Sequence, residues 1–374
     1  MRFLLALAST TALFAQLHPA LSLPPSGGNQ KASVIQYIGP VKIQIDYSSP
    51  AVHGPANPAG GPSVDRRGKI WGQLVPYGMT DQGFGTSKAA PWRAGANENT
   101  VFTASHDVEI EGQRLPAGSY GLFVLVEKED WTLILSKEAG AWGSFFYKPE
   151  QDALRVKLKP VKSEYREYLS YEFPERKPTE AVAQLAWEDL AVRFRIKVPN
   201  VNDIYLSRIR SELANATGFL DTGWIAAAQF CLLNNINLDE ALTWTTYAIE
   251  APFVGRKSFA NLSTKAQILS RLKRDSEAAT LMQEAVQLPG TTVFEIHQYG
   301  RQLLNAKKNS EALSIFELNH KRFNGAWPTK LGLARAYAAL GEKQKALDLA
   351  RQSLPEAPDA LNKKGIEDLI KSLQ

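Results

Sequence analysis

The stretch P-W-R-A-G-A-N-E-N-T, residues 91–100, gathers an indole, a guanidinium, a carboxylate and two carboxamides around one glycine. Trp92 and Arg93 offer a stacking face and a bidentate fork for an anion. Asn97 and Glu98 offer hydrogen bonds to polar ligand groups, and Gly95 lets the backbone turn or approach a neighbour closely. These four residues, Trp92, Arg93, Asn97 and Glu98, are the candidate ligand-binding set. The plain alternative is a tie, in which Glu98 pairs with Arg93, Asn97 braces the turn and Trp92 fills the edge of a sheet.

Candidates for catalysis are sparse. Glu98 and His53 would form an acid–base pair if their loops converge. A zinc site would draw on His53, His106 and one of Asp46, Glu98 or Asp107, but no H-E-x-x-H or close histidine pair supports it, so no metal or cofactor is expected. The glycine-flanked serine in A-G-S-Y-G (117–121) lacks the nucleophile-elbow spacing and reads as a hairpin turn. G-F-G-T-S-K (83–88) lacks P-loop spacing and context. Among the aromatics, Trp71, Trp92, Trp142 and Tyr147 fall at strand ends or in loops and are candidate sugar-stacking platforms; Trp131 and Trp187 fall in strand patterns and read as core. The single cysteine, Cys231, sits among Phe230, Leu232 and Leu233 and reads as a buried structural thiol.

A chain of 374 residues is long enough for two or three domains. A hydrophobic content of 44%, a charged content of 22% and a net charge of +5 without a basic block give no reason to expect nucleic acid. Met1 and Arg2 precede the apolar run F-L-L-A-L-A-S-T-T-A-L-F-A (3–15), followed by Ala20 and Ser22 in a small-residue arrangement. Residues 1–22 therefore read as a secretory signal peptide cleaved after Ser22, and the mature chain is expected in the periplasm or outside the cell, with no membrane span.

The elements that would position these residues change period midway. From 33 to 199 the apolar period is two. V-K-I-Q-I-D-Y (41–47), Y-G-L-F-V-L-V (120–126) and W-T-L-I-L (131–135) read as strands, and D-V-E-I-E-G-Q-R-L (107–115) as two strands turning at Glu111 and Gly112. Segments 153–159, 168–173, 181–187 and 191–198 bring the total to about nine, the pattern of a β-sandwich or jelly-roll-like barrel. Two irregular pieces, 53–62 and 77–91, interrupt it, and long loops on a rigid sheet are where function tends to sit. From 203 to 374 the period is helical. Alanines recur at 241, 278, 312 and 346, spaced by 37, 34 and 34, where a small residue lets two helices of a hairpin approach.

Two resemblances follow from these motifs. Residues 220–358 resemble tetratricopeptide repeats, best in the last unit through Ala334, Tyr337, Gly341, Ala346 and Pro358, with 359–373 as a cap helix. Y-S-S-P (47–50), I-W-G-Q-L-V-P-Y-G (70–78), W-R-A-G-A-N-E-N-T (92–100), L-P-A-G-S-Y-G-L-F (115–123), W-T-L-I-L (131–135) and L-A-W-E (185–188), in that order, resemble a family of exported bacterial proteins catalogued only as a domain of unknown function. That resemblance implies a β-rich exported domain over 34–199 and no established activity. In the family the W-R-x-G-x-N-E motif usually follows the P-Y-G turn almost at once. Here about a dozen residues intervene, so a pocket beside Trp92 is expected to be reshaped or covered.

The combined reading is an exported, two-domain binding or scaffold protein. An N-terminal all-β sandwich (33–199) would bind a small polar or glycan ligand at the W-R-x-G-x-N-E loop. A C-terminal all-α array of tetratricopeptide-like hairpins (203–374) would engage a protein or peptide. The alternative is a cell-envelope hydrolase acting on glycans or peptides, with Glu98 as general acid or base.

Overall fold

The computed structural model describes residues 29–54 and 63–374. The expected signal peptide, 1–22, and residues 55–62 of the 53–62 loop lie outside the described residues. The chain divides into two compact units, one ending at Tyr205 and one running from Leu206 to Gln374.

The first unit is a sandwich of two antiparallel sheets. Six strands form one sheet in the order β1 (Gln30–Ile38), β2 (Val41–Ser49), β3 (Thr100–Ala104), β6 (Gly118–Leu125), β7 (Trp131–Ser136) and β8 (Asp152–Leu158). The other sheet runs β5 (Gln113–Leu115), β4 (Val108–Ile110), β10 (Glu180–Lys197) and β9 (Val161–Lys177). The period-two pattern does what it must: along β2, Val41, Ile43 and Ile45 are buried while Lys42, Gln44 and Asp46 are not. Phe102 of β3 meets Phe194 of β10 with ring centroids 6.4 Å apart, and Tyr47 of β2 meets Tyr171 of β9 at 4.8 Å, so both sheets share one core.

Three local results refine the sequence reading. The Glu111–Gly112 turn has φ of 47° and 81°, the left-handed pair a tight hairpin between β4 and β5 requires. Segments 181–187 and 191–198, read as two strands, are one strand of 18 residues. A bulge at Glu188, with φ of 55°, absorbs the break in period and lets the ladder with β9 continue. The third concerns β7, which is buried on both faces: Trp131, Leu133 and Leu135 enter the core, while Ile134 packs with Phe123 and Tyr147 on the opposite side.

The second unit is an array of helical hairpins. After α1 (Val201–Leu213), which begins in the first unit, come α2 (Asp221–Asn234) with α3 (Leu238–Glu250), α4 (Phe259–Arg271) with α5 (Asp275–Gln287), α6 (Val293–Asn305) with α7 (Asn309–Arg322), α8 (Trp327–Ala339) with α9 (Lys343–Ser353), and α10 (Ala360–Leu373). The recurring alanines Ala241, Ala278, Ala312 and Ala346 fall in the first turns of α3, α5, α7 and α9, and all four are buried. Phe316 of α7 is fully buried, and a Cβ at either Gly300 of α6 or Gly332 of α8 would collide with its ring. Glycine is thus required at both positions by close approach, not by backbone conformation. Cys231 is buried in α2, and burial pushes its thiol up to about 11, which leaves it protonated and inert at neutral pH.

Candidate functional site

The 91–100 stretch enters the sandwich as an irregular extension of the six-stranded sheet. Trp92 exchanges main-chain hydrogen bonds with Val124 of β6, at 3.1 and 2.8 Å. The chain then turns through Ala94 (φ 49°) and Asn97 (φ 56°), two left-handed residues that are not glycine. The Ala94 carbonyl holds that conformation in place by accepting from the Thr100 hydroxyl (3.1 Å) and the Tyr171 hydroxyl (2.9 Å). Gly95 serves close approach: a Cβ there would lie 2.7 Å from the Thr100 hydroxyl and 3.1 Å from the Ser48 carbonyl. The Ala96 N–H donates to that same Ser48 carbonyl at 3.1 Å. The main chain of the turn is therefore a clasp between β2, β3 and β9.

Its side chains do something else. Trp92, Arg93 and Asn97 line a cavity of about 520 Å³, within the size range of small-molecule sites. Trp92 and Trp187 lie nearly parallel, with centroids 6.2 Å apart and planes 17° apart, and Trp71 meets both edge-on. The Trp92 indole N–H donates to the Gly95 carbonyl at 3.2 Å, which fixes the ring. Arg93 donates from Nη1 to the Asn97 carbonyl at 2.5 Å, and its Cζ lies 4.9 Å from the centre of the Phe145 ring. A Cβ at Gly143 would strike the guanidinium, so that glycine leaves room for it. Burial pulls the Arg93 guanidinium below its ordinary value, and no carboxylate among the described residues pairs with it.

The intervening 79–91 segment shapes the cavity as one of its walls. Thr80 and Ala90 exchange main-chain hydrogen bonds (3.1 and 2.9 Å) and close the segment on itself. Gln82 donates to the Ser144 hydroxyl at 2.8 Å, and Phe84 packs edge-on against Phe145. Gly78, Thr80, Gln82 and Ala90 thereby face Trp92 and Arg93 across the lining. Leu74, Val75 and Pro76 also line the cavity, as does Arg66, whose Nη1 donates to the Ala51 carbonyl at 3.3 Å.

Glu98 departs from the expectation. Its carboxylate pairs with Lys31 of β1 at 2.8 Å, accepts from the Ser48 hydroxyl at 3.3 Å, and does not line the Arg93 cavity. The Lys31 contact holds its carboxyl below the usual value, the direction opposite to that of a general acid. Lys31 and Ser48 are opposed residues of the β1–β2 ladder, so the strand register places a partner beside Glu98 that is nearer than Arg93. The expected Arg93–Glu98 tie is replaced by these two separate contacts.

His53 is likewise engaged elsewhere. Its ring Nδ1 lies 2.8 Å from Glu167, its main-chain N–H donates to the same carboxylate at 2.8 Å, and Nε2 lies 3.5 Å from Asp65. Burial would raise the Glu167 carboxyl; the Tyr165 hydroxyl and the two His53 contacts outweigh it and bring it down to about 2. His106 contacts the Ser105 hydroxyl at 2.9 Å. His53 and Glu98 thus have different partners, as do His53 and His106, and among the described residues no three His, Cys, Asp or Glu side chains are grouped to hold a metal ion.

Of the aromatic platforms, Trp92 is half-buried beside the cavity and Trp142 is exposed. Tyr147 is buried instead: it packs on Phe123 and donates its hydroxyl to Asp152 at 2.7 Å. Trp187 reads as core and is only 1% exposed, yet it also lines the cavity, and its indole N–H has no acceptor among the described residues. Arg66 and Trp187 are among the lining residues that sequence reasoning passed over. The available signal for Trp187 was its place in the L-A-W-E motif, directly before the bulge at Glu188. No local pattern marked Arg66.

Residues 29–196 match the model of the family described as "Protein of unknown function (DUF2911)". Among the solved structures similar to the chain are the following three. YrrB, described as a TPR protein with an unusual peptide-binding site, is 20% identical, with 45% of this chain and 85% of that one covered and a TM-score of 0.31. MamA (41-end) from Desulfovibrio magneticus RS-1 is 15% identical, with 41% and 92% covered and a TM-score of 0.28. A tetratricopeptide repeat protein from Parabacteroides merdae is 14% identical, with 46% and 66% covered and a TM-score of 0.32. No curated protein matches the chain.

Proposed function

We propose that this is an exported binding protein whose β-domain holds a small polar ligand in the cavity beside Trp92, Arg93 and Asn97, and whose helical array engages a protein or peptide. The observation that carries the first half is the chemistry of the lining. It contains two arginines and, among the described residues, no Asp, Glu, His, Cys, Lys or Tyr. Such a lining can orient and hold a ligand but has no side chain of the kind that transfers a proton near neutral pH. Glu98, on which the hydrolase alternative depends, is turned towards Lys31 and Ser48.

Two indoles wall the cavity, so occupancy should change tryptophan emission. A fluorescence screen of small polar metabolites and sugars is the test. Ala96 is half-buried in the lining, and Ala96→Phe should fill the space and abolish the response while leaving the melting temperature near that of the unaltered protein. A response that survives Ala96→Phe would place binding elsewhere.

The second half rests on a groove of about 610 Å³ in the array, floored by Ala266, Ala278, Met282 and Leu303, beside which Leu233 is 84% exposed. Apolar side chains of an extended peptide fit such a floor. A partner captured by the full chain and equally by Leu233→Glu would remove this groove from the reading.

A further inference from the structure

We propose that the ligand of the β-domain cavity is a small organic carboxylate with a flat or apolar body, held through its carboxylate by Arg93 and Arg66 and through its body by the indoles of Trp92 and Trp187. The inference rests on the reading of this cavity as a ligand site and adds its chemical class.

Charge is the first argument. Both arginines lie in one lining that carries no carboxylate, and neither forms an ion pair with a carboxylate among the described residues. A cation drawn partly out of water without a counter-ion is disfavoured, so the cavity favours a guest that brings negative charge. Elsewhere in this domain Arg114 pairs with Asp107, Arg155 with Asp152 and Lys31 with Glu98.

Geometry is the second. The Arg93 guanidinium is clamped between the Phe145 ring and the space left by Gly143, and one N–H is committed to Asn97. Its plane is therefore fixed, and its other N–H groups have no protein acceptor among the described residues. A rigid planar fork suits a planar carboxylate. The Trp187 indole N–H is a further donor, almost wholly buried and without an acceptor among the described residues, in a residue that lines the same cavity. Buried donors are nearly always satisfied in native proteins, so this one points to an acceptor supplied by the guest.

The third argument is shape. Leu74, Val75 and Pro76 complete an apolar wall with the two indoles. The volume, about 520 Å³, far exceeds that of an inorganic anion, which leaves most of the cavity for a body that these surfaces would cover.

The test is titration calorimetry on the full chain with benzoate, benzamide, phenyl phosphate and glucuronate. Benzoate and benzamide match in shape and differ in charge, so benzoate is expected to bind at least about tenfold more tightly. Glucuronate tells whether a sugar body is accepted in place of an aromatic one. Arg93→Gln should abolish the preference for benzoate. Because Arg93 also braces the turn, Arg66→Gln, held in the fold by one long hydrogen bond to Ala51, is the second variant and should weaken benzoate and glucuronate without lowering the melting temperature. Equal binding of benzoate and benzamide would overturn the carboxylate assignment while leaving the cavity a ligand site. So would a neutral ligand lost in Ala96→Phe beside inert carboxylates. Preference for phenyl phosphate over benzoate would overturn it in favour of a phosphate ester, and no heat from any of the four at millimolar concentration would overturn it outright.

Discussion

The two units encode their contacts in different ways. In the helical array one solution is repeated: a buried alanine opens the second helix of each hairpin at Ala241, Ala278, Ala312 and Ala346. In the β-domain the 91–100 turn uses each residue once. Ala94 takes a left-handed conformation, Gly95 makes a close approach, Arg93 faces the cavity, and Glu98 faces Lys31. Repetition tolerates drift, which is why the earlier repeats are degenerate and still fold. A turn made of single-use residues does not, and it is there that a specific ligand can be selected.

The largest effect that would sharpen this contrast is at Phe316. Its ring fills the space that Gly300 and Gly332 leave, and Phe316→Ala should cost the array about 3–5 kcal/mol. Hydrogen exchange should show protection lost in α6–α8 and retained in the sheets; equal loss in β2, β3 and β6 would mean that the units do not behave separately.

Acid should separate the units next. His297 of α6 is buried, and burial, with Arg335 and Arg301 near it, brings its imidazole down to about 4 from the usual 6.5. A histidine depressed on folding stabilises the fold fully above its unfolded value and loses that contribution as pH falls from 6.5 towards 4. The array should therefore weaken by on the order of 3 kcal/mol across that window, and His297→Leu should flatten the profile. A profile unchanged by His297→Leu would contradict this.

Gly95→Ala is expected to cost the β-domain about 1–3 kcal/mol, because the added Cβ meets Thr100 and Ser48. Chemical denaturation followed by tryptophan emission reads it, and a neutral result would mean that the clasp yields easily. The smallest effect is at Glu167. Its depressed carboxyl contributes stability above its unfolded value near 4.5, and that contribution is lost as pH falls towards 2. After allowance for solvent screening, Glu167→Gln should cost about 1 kcal/mol at neutral pH and little at pH 2. The β-domain thus loses this carboxylate's support at lower pH than the array loses that of His297.

Much of this architecture was legible in the residues. Alternation in V-K-I-Q-I-D-Y marks β2 because burial of one face demands it, and the spacing of alanines marks the hairpins because close helix contact demands it. Trp92, Arg93 and Asn97, singled out by type alone, all line the one cavity. What stayed hidden depended on register and on distant segments. Lys31 reaches Glu98 only because the β1–β2 ladder sets it opposite Ser48. Trp187 joins core and cavity at once because β10 bulges at the next residue. Arg66 reaches the cavity through a loop with no periodicity to read.

The most direct measurement of the central claim is a crystal structure of the protein with benzoate. Expected is density in the cavity beside Trp92 and Trp187, with carboxylate oxygens at hydrogen-bond distance from Arg93. An empty cavity at saturating benzoate, or benzoate bound only outside the lining formed by Trp92, Arg93 and Asn97, would contradict it.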